Sequence, residues 1–323
     1  MNCKNLLTLF IAGFCWVFAF GQQLPQYSLY MLNPAQFNPA YAGLEGSLNF
    51  TGVFRKQWVN LNGSPSQQNL TAQMPLYFLS SGIGFVVEND ILGARRFTSA
   101  TLQYNYQIPT GKIGQISVGL SAGFTRFNWD GNKLRTPDGN YEDNVFDHND
   151  DFLPSTNVSA SAPSLGLGIF YKDEKLETGI SVQNLYSTPM EIGNAEISLG
   201  RHFLFFGEYK IDFGNNFSLL PSVLVKSDLT EHQTDFSLII DYNGNIFGGG
   251  AVRGFSSKSI DAAGIIGGWR LSEQITLAYV YDFPISALGS VQQGSHEVLL
   301  NYNLNKPLGK GKLPKIIFNP RFL

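Results

Sequence analysis

Set aside a leader over residues 1–21 and no cysteine remains, because Cys3 and Cys15 both fall within it. Disulfides, thiolate metal sites and cysteine nucleophiles are excluded, although the protein is exported. Charge is also sparse, at 15% of residues against roughly 25% in ordinary chains. Loss of Lys4 with the leader takes Lys+Arg from 22 to 21 against 25 Asp+Glu, a net charge of −4. There is no basic face for nucleic acid, and four scattered histidines form no metal-ligand pattern. Past residue 21 no stretch approaches the roughly 18 consecutive apolar residues of a membrane helix, so transmembrane helices are excluded.

The leader reads as a secretory signal peptide. Lys4 precedes an uncharged apolar run over 6–20, and Ala19-Phe20-Gly21 is a small-x-small cleavage site that makes Gln22 the first mature residue. Cys15 follows the bulky Phe14, which argues against lipidation. Aromatic residues are plentiful, at 14%, and so is glycine, with 34 residues. An exported, weakly charged chain of this kind is either a soluble β-protein or an outer-membrane β-barrel.

Alternation favours the barrel. Ala100, Leu102, Tyr104, Tyr106 and Ile108 share one parity, while Ser99, Thr101, Gln103, Asn105 and Gln107 share the other, giving one greasy face and one small polar face. The dyad recurs at Phe236, Leu238, Ile240 and Tyr242, at Leu277, Tyr279 and Tyr281, and at Val298, Leu300 and Tyr302. A period of two held for about ten residues is what a tilted bilayer-spanning strand requires. Fourteen such segments are expected, near 46–60, 67–78, 82–89, 97–109, 113–127, 163–172, 175–185, 200–213, 216–228, 233–243, 246–255, 259–271, 274–283 and 294–304. Connections after even-numbered segments are turn-like, such as 79–81, 110–112 and 214–215. Those after odd-numbered segments are longer, as at 128–162, 186–199 and 284–293, with short exceptions near Thr230 and Ser257.

The expected fold is all-β: a transmembrane antiparallel outer-membrane β-barrel of about 14 strands over 46–305. An N-terminal arm over 22–45, lumenal or periplasmic, and a short periplasmic C-terminal tail over 306–323 complete it. Tight turns belong on the periplasmic side and an even strand number puts both termini there. The fold-level rival is a soluble β-sandwich. The tail carries Lys306, Lys310, Lys312, Lys315 and Arg321, and is either solvated or a docking peptide.

Few residues offer chemistry. In the acidic loop 138–151, Asp147, Asn149 and Asp151 alternate like calcium ligands, but Phe152 and Val158 stand where an EF-hand needs Gly and Glu. A looser calcium site stands beside a plain solvated loop. His148 follows Asp147, yet no GxSxG nucleophile motif accompanies it, so no catalytic constellation and no cofactor are expected. Gly248-Gly249-Gly250 and Gly267-Gly268 lead into no helix and read as strand curvature or close lumenal packing.

The arm is the one segment that is neither leader nor strand. Its pairs Asn33-Pro34 and Asn38-Pro39, followed by Tyr41, predict a bent, partly extended element, since each proline fixes its own φ and biases the residue before it. In the first strand Arg55 and Gln57 share a face; if that face is the lumen they would hold the arm through its carbonyls, with Trp58 in an interfacial aromatic girdle. A polar lumen wall with no special task is the plain alternative. The residues alone leave an interaction protein and a passive or gated pore for small solutes both open.

Several stretches carry a family likeness: the arm PQYSLYMLNPAQFNPAYAG, FRKQW with Ser64-Pro65 soon after, Glu88-Asn89-Asp90 followed by Gly93, Tyr104-Asn105-Tyr106, Ser295-His296-Glu297 and the closing NPRFL. Together they resemble the PorP/SprF family, outer-membrane proteins linked to the type IX secretion system and gliding motility. Leu24-Pro25 departs from it, since the family often has an acidic residue before that proline. The resemblance implies a non-enzymatic accessory barrel that helps particular secreted proteins, often large adhesins, to be exported or retained at the surface. It also implies partners in outer-membrane lipid and the periplasmic parts of the machinery.

Overall fold

The computed structural model describes residues 24–111, 114–142, 146–186, 189–192, 195–255, 260–285 and 287–306. The leader and nearly all of the tail, including Arg321, lie outside them.

The alternating segments become strands: β1 (Asn49–Lys56), β2 (Ser66–Leu76), β3 (Ser81–Leu92), β4 (Arg95–Thr110), β5 (Gly114–Asp130), β6 (Asn157–Lys172), β7 (Leu176–Gln183), β8 (Pro189–Ile192), β9 (Ala195–Ser198), β10 (His202–Tyr209), β11 (Ile211–Phe213), β12 (Phe217–Ser227), β13 (His232–Tyr242), β14 (Ile246–Phe255), β15 (Ala262–Arg270), β16 (Ile275–Pro284) and β17 (Ser295–Asn303). β8 and β9 pair only with each other, and β11 continues β10 past Lys210, which leaves fourteen staves. Each pairs antiparallel with the next in sequence, and β1 pairs with β17 from Asn49↔Asn303 to Lys56↔His296, so the sheet closes on itself. Closure removes the free edges that lipid would not tolerate.

The fourteen expected segments correspond one to one with these staves. The chief difference is the reach of β5 and β6, which stay paired from Thr125↔Ala162 out to Asp130↔Asn157. There Phe127, Ala162, Met190 and Leu199 form a small core of their own, with β8–β9 laid over the extension. Small residues such as Ser159, Ala160 and Ser161 carry no apolar alternation there, so periodicity missed it. The connection between β3 and β4 shrinks to Gly93-Ala94, a third short exception, with Gly93 at φ 58°.

Parity sorts the wall. Leu102, Phe124, Ile180 and Ile265 stand outside with 54–70% of their surface exposed, an apolar belt suited to hydrocarbon. Inside, the wall has two characters. β1 to β4 present Thr51, Asn69, Thr71, Gln73, Gln103 and Asn105, whereas β10 and β12 to β17 present Leu204, Phe206, Leu224, Ile239, Ile266, Val280 and Leu299. Side chains alone fill a lumen of about eight strands. In this wider ring residues 24–48 fill it.

Candidate functional site

The arm is built from three 3₁₀ turns, Tyr30–Leu32, Pro34–Gln36 and Pro39–Tyr41, linked at the two Asn-Pro junctions. Pro34 and Pro39 each open a turn, where a fixed φ suits the geometry and a missing N–H leaves no donor to satisfy inside the barrel. Asn38 caps the last turn, its Oδ1 accepting from Ala40 N–H at 3.0 Å while its amide donates to the carbonyls of Ile169 and Ile180 at 3.1 Å each. Asn33 donates to Asn69 Oδ1 and Thr71 Oγ1, both at 3.1 Å.

Between these junctions the arm faces both walls. Leu29, Tyr30, Met31, Phe37 and Tyr41 join the apolar core, with Tyr41 edge-on to Phe170 at 4.9 Å and Phe37 against Phe206 at 5.6 Å. Each such side chain contributes about 1.5–3 kcal/mol when fully buried. Buried backbone needs partners, and the wall supplies them. Gln103 donates to Ala35 O (2.8 Å), Ser181 to Phe37 O (2.7 Å), and Asn105 to Ala40 O (2.8 Å) and Ala42 O (2.6 Å), while Gln73 accepts from Gly43 N–H (2.9 Å). The approach is so close that a Cβ on Gly82, Gly119 or Gly168 would overlap Ala42 O, Ala40 N or Asn38 Oδ1. These wall glycines form the groove in which 38–42 lies.

A buried charge cluster grips the arm's upper end. Arg55, fully buried, donates to Asp282 at 2.6 Å, Glu297 at 2.7 Å and Ser28 Oγ at 2.9 Å. Glu297 accepts from the amides of Ser28 (2.7 Å) and Leu29 (2.9 Å), and Ser28 Oγ donates to Asp282 (2.8 Å). Arg253 holds Gln26 at 2.6 Å and lies 3.6 Å from Asp282. Lower down, Lys172 pairs with Glu177 at 2.8 Å and lies 3.3 Å from the Tyr41 hydroxyl, which in turn bonds Glu45.

Arg55 thus meets the arm through a serine and two carboxylates rather than through carbonyls. Gln57 donates instead to Gln67, a wall residue, at 2.9 Å. Trp58, at φ 48° just beyond β1, is half-buried and borders a cavity of about 270 Å³ together with Leu24, Pro25 and Gln26. Leu92, Arg95, Pro284 and Gln292 also border it, and all lie where strands meet the connections that follow odd-numbered staves. Leu24 therefore stands at the long-loop mouth, whereas β1 begins and β17 ends at the short-turn mouth. Even strand number places the first and last staves' ends together, but the arm crosses the lumen, so the two ends of the described chain do not share a side.

In the acidic loop Asp147 Oδ1 accepts from Asn149 N–H at 2.9 Å, and Asn149 adopts φ 51°. Among the described residues no three His, Cys, Asp or Glu side chains gather as a metal group. His148 is 1% exposed, with Nδ1 2.9 Å from the Tyr141 hydroxyl and Nε2 3.1 Å from Pro154 O. Both ring nitrogens are engaged in holding the loop together.

Asp282, Glu297, Asn105 and Lys172 were not singled out from sequence as arm contacts. Asn105 and Glu297 lie within motifs that carry the family likeness, and their inward parity was the available signal.

A family model described as type IX secretion system membrane protein PorP/SprF matches residues 19–302. No curated protein matches the chain. Among solved structures, the chain is similar to the Acinetobacter baumannii outer membrane protein Omp33 (6% identity, TM-score 0.47, covering 81% of this chain and 100% of that one). It is also similar to the Ralstonia pickettii toluene transporter TbuX (9%, TM-score 0.49, 85% and 93%) and a Pseudomonas aeruginosa FadL homologue (10%, TM-score 0.46, 88% and 96%). These likenesses say nothing about what this barrel binds or passes.

Proposed function

The chain belongs to the PorP/SprF family of type IX secretion system membrane proteins, and we propose that within that system it is a non-enzymatic, plugged outer-membrane barrel. In this reading it assists export or surface attachment of a specific secreted protein such as an adhesin. Its neighbours are outer-membrane lipid, components of the secretion machinery and that cargo, with the short turns toward the periplasm and the long-loop mouth outside.

The observation that carries the reading is the seating of the arm. Its backbone bonds, apolar side chains and charge cluster engage the wall from one mouth to the other. A plug fixed along its whole length favours a rigid docking body over a solute pathway. The engaged nitrogens of His148 favour a structural loop over a catalytic one.

The test is deletion of the gene with surface proteomics of type IX cargo. Loss of one or a few cargoes from the surface is expected; unchanged display of every cargo would sink the proposal. The purified full chain in planar bilayers should conduct no steady current. Steady solute flux through it would instead establish the pore reading.

A further inference from the structure

The outer face of the wall changes character along one line near the long-loop mouth. Leu70, Val87, Ala100, Phe124 and Pro163 lie in register across β2 to β6 and form an apolar row. One step toward the loops on the same face the row reads Gln68, Asn89, Thr98, Arg126 and Ser161, and the next reads Ser66, Ile91, Arg96, Asn128 and Ser159. Successive rows on one face are roughly 7 Å apart. Within the first polar row Thr98 donates to Asn89 Oδ1 at 3.2 Å, and the Asn89 amide donates to Gln68 Oε1. A face that passes in one step from Phe124, 70% exposed, to Arg126 marks the edge of the hydrocarbon, where charge on the lipid side becomes tolerable.

Charge along this edge has one sign. Arg96 and Arg126 stand diagonally on β4 and β5, with Asn128 and Thr98 opposite them, a placement that sets their Cβ atoms about 7–8 Å apart. Neither polar row holds Asp or Glu, and Lys56, opposite Ser66, carries the band onto β1. The next outward acid on β5, Asp130, lies one step further from the apolar row and pairs with Lys133 at 3.4 Å. Arg126 donates to Ser159 Oγ at 2.9 Å, whereas Arg96 has no partner among the described residues. Two guanidinium forks at that spacing, with an amide and a hydroxyl beside them, match the oxygens of a phosphate. The apolar row next to them suits the acyl chains of the molecule that carries it.

We propose that Arg96 and Arg126, with Thr98 and Asn128, bind the phosphate of an anionic lipid in the leaflet at the long-loop mouth. Its headgroup meets the arginines while its chains lie along Phe124 and Leu70. The inference stands on the outer face of the barrel and is independent of the secretion reading.

The full mature chain, purified in mild detergent, is titrated with bis-phosphorylated lipid A, and bound lipid is counted by native mass spectrometry. Phosphate-free lipid A with the same acyl chains and inorganic phosphate serve as competitors. The phosphorylated lipid should bind, and neither competitor should displace it at equal concentration. Arg96→Ala/Arg126→Ala should weaken binding about 30-fold, from the loss of two cations beside an anionic headgroup. Lys175→Ala/Lys210→Ala, the same change of charge at the opposite mouth, should leave it unchanged. Both arginines are exposed, so the unboiled double variant should keep its heat-modifiable gel mobility. Equal binding of the phosphate-free lipid, displacement by inorganic phosphate, or an affinity indifferent to the arginine pair overturns the proposal.

Discussion

Replacing Arg55 by Met separates the arm's hold from the barrel's own ladder. The substitution removes three hydrogen bonds, at 2.6, 2.7 and 2.9 Å, and leaves Asp282 and Glu297 buried with only Arg253 nearby. Breaking a buried ion pair from one side costs about 3–5 kcal/mol. The backbone ladders from β1 to β2 and β17 do not involve the side chain, so the loss falls on the arm's upper end. The amides of Ser28 and Leu29, which donate to Glu297, report it by hydrogen exchange. At about 1.4 kcal/mol per decade their exchange should speed up roughly 100- to 4,000-fold, while the unboiled protein keeps its heat-modifiable gel mobility. Neutralising the acids as well, in Arg55→Met/Asp282→Asn/Glu297→Gln, removes the uncompensated charge and should recover most of the protection. Unchanged exchange in the single variant, or a triple variant as unprotected as the single, would refute the idea that this cluster fastens the arm.

Other outcomes follow from the groove, the caps and the turns. Gly168→Ala should lower the thermal midpoint by an overpacking cost of about 1–3 kcal/mol and loosen 36–42 in hydrogen exchange, while Gly207→Ala, whose new Cβ has no neighbour nearer than 3.6 Å, should do neither. Asn38→Ala gives up its cap and two wall contacts and should cost about 1–3 kcal/mol by thermal unfolding. Pro34→Ala and Pro39→Ala should each cost about 1–3 kcal/mol by thermal unfolding, because each puts a new backbone donor at a buried position; a loss below about 1 kcal/mol would show that the new amides find acceptors. In the turn after β6, burial would raise the Asp173 carboxyl, but the amides of Leu176 and Lys175 and the Tyr171 hydroxyl outweigh it and hold the carboxyl below its ordinary range. Its contribution is present above the unfolded pKa and lost as pH falls through the lowered folded value. The melting curve of Asp173→Asn should therefore converge on that of the parent as pH falls through that lowered value, and a gap that widens there would contradict the sign.

The staves were legible because each opposes an apolar outer face to an inner one, and a period of two survives in sequence wherever the bilayer imposes it. The arm stood out by its Asn-Pro junctions. Its grip did not, because Arg55 meets Glu297 across 242 residues, and only closure of β1 on β17 brings them together. Sequence reasoning aimed Arg55 and Gln57 at carbonyls, but the serine and acids nearby make better partners for a guanidinium, and Gln57 faces Gln67. The apolar half of the lumen was hidden for a related reason. Staves carrying Phe206, Ile239 or Val280 inward are apolar on both faces, which blurs alternation.

One continuous chain has Leu24 at one mouth and Asn49 at the other, so the ring of strands encircles its own leading segment. Tyr30, Phe37 and Tyr41 pack against that ring and residues 38–42 lie in its glycine groove, so segment and ring are shaped to each other. The crossing also gives fusions a sidedness: a folded domain attached ahead of Leu24 emerges by Trp58 and Pro284, and one attached after Asn303 emerges at the opposite face.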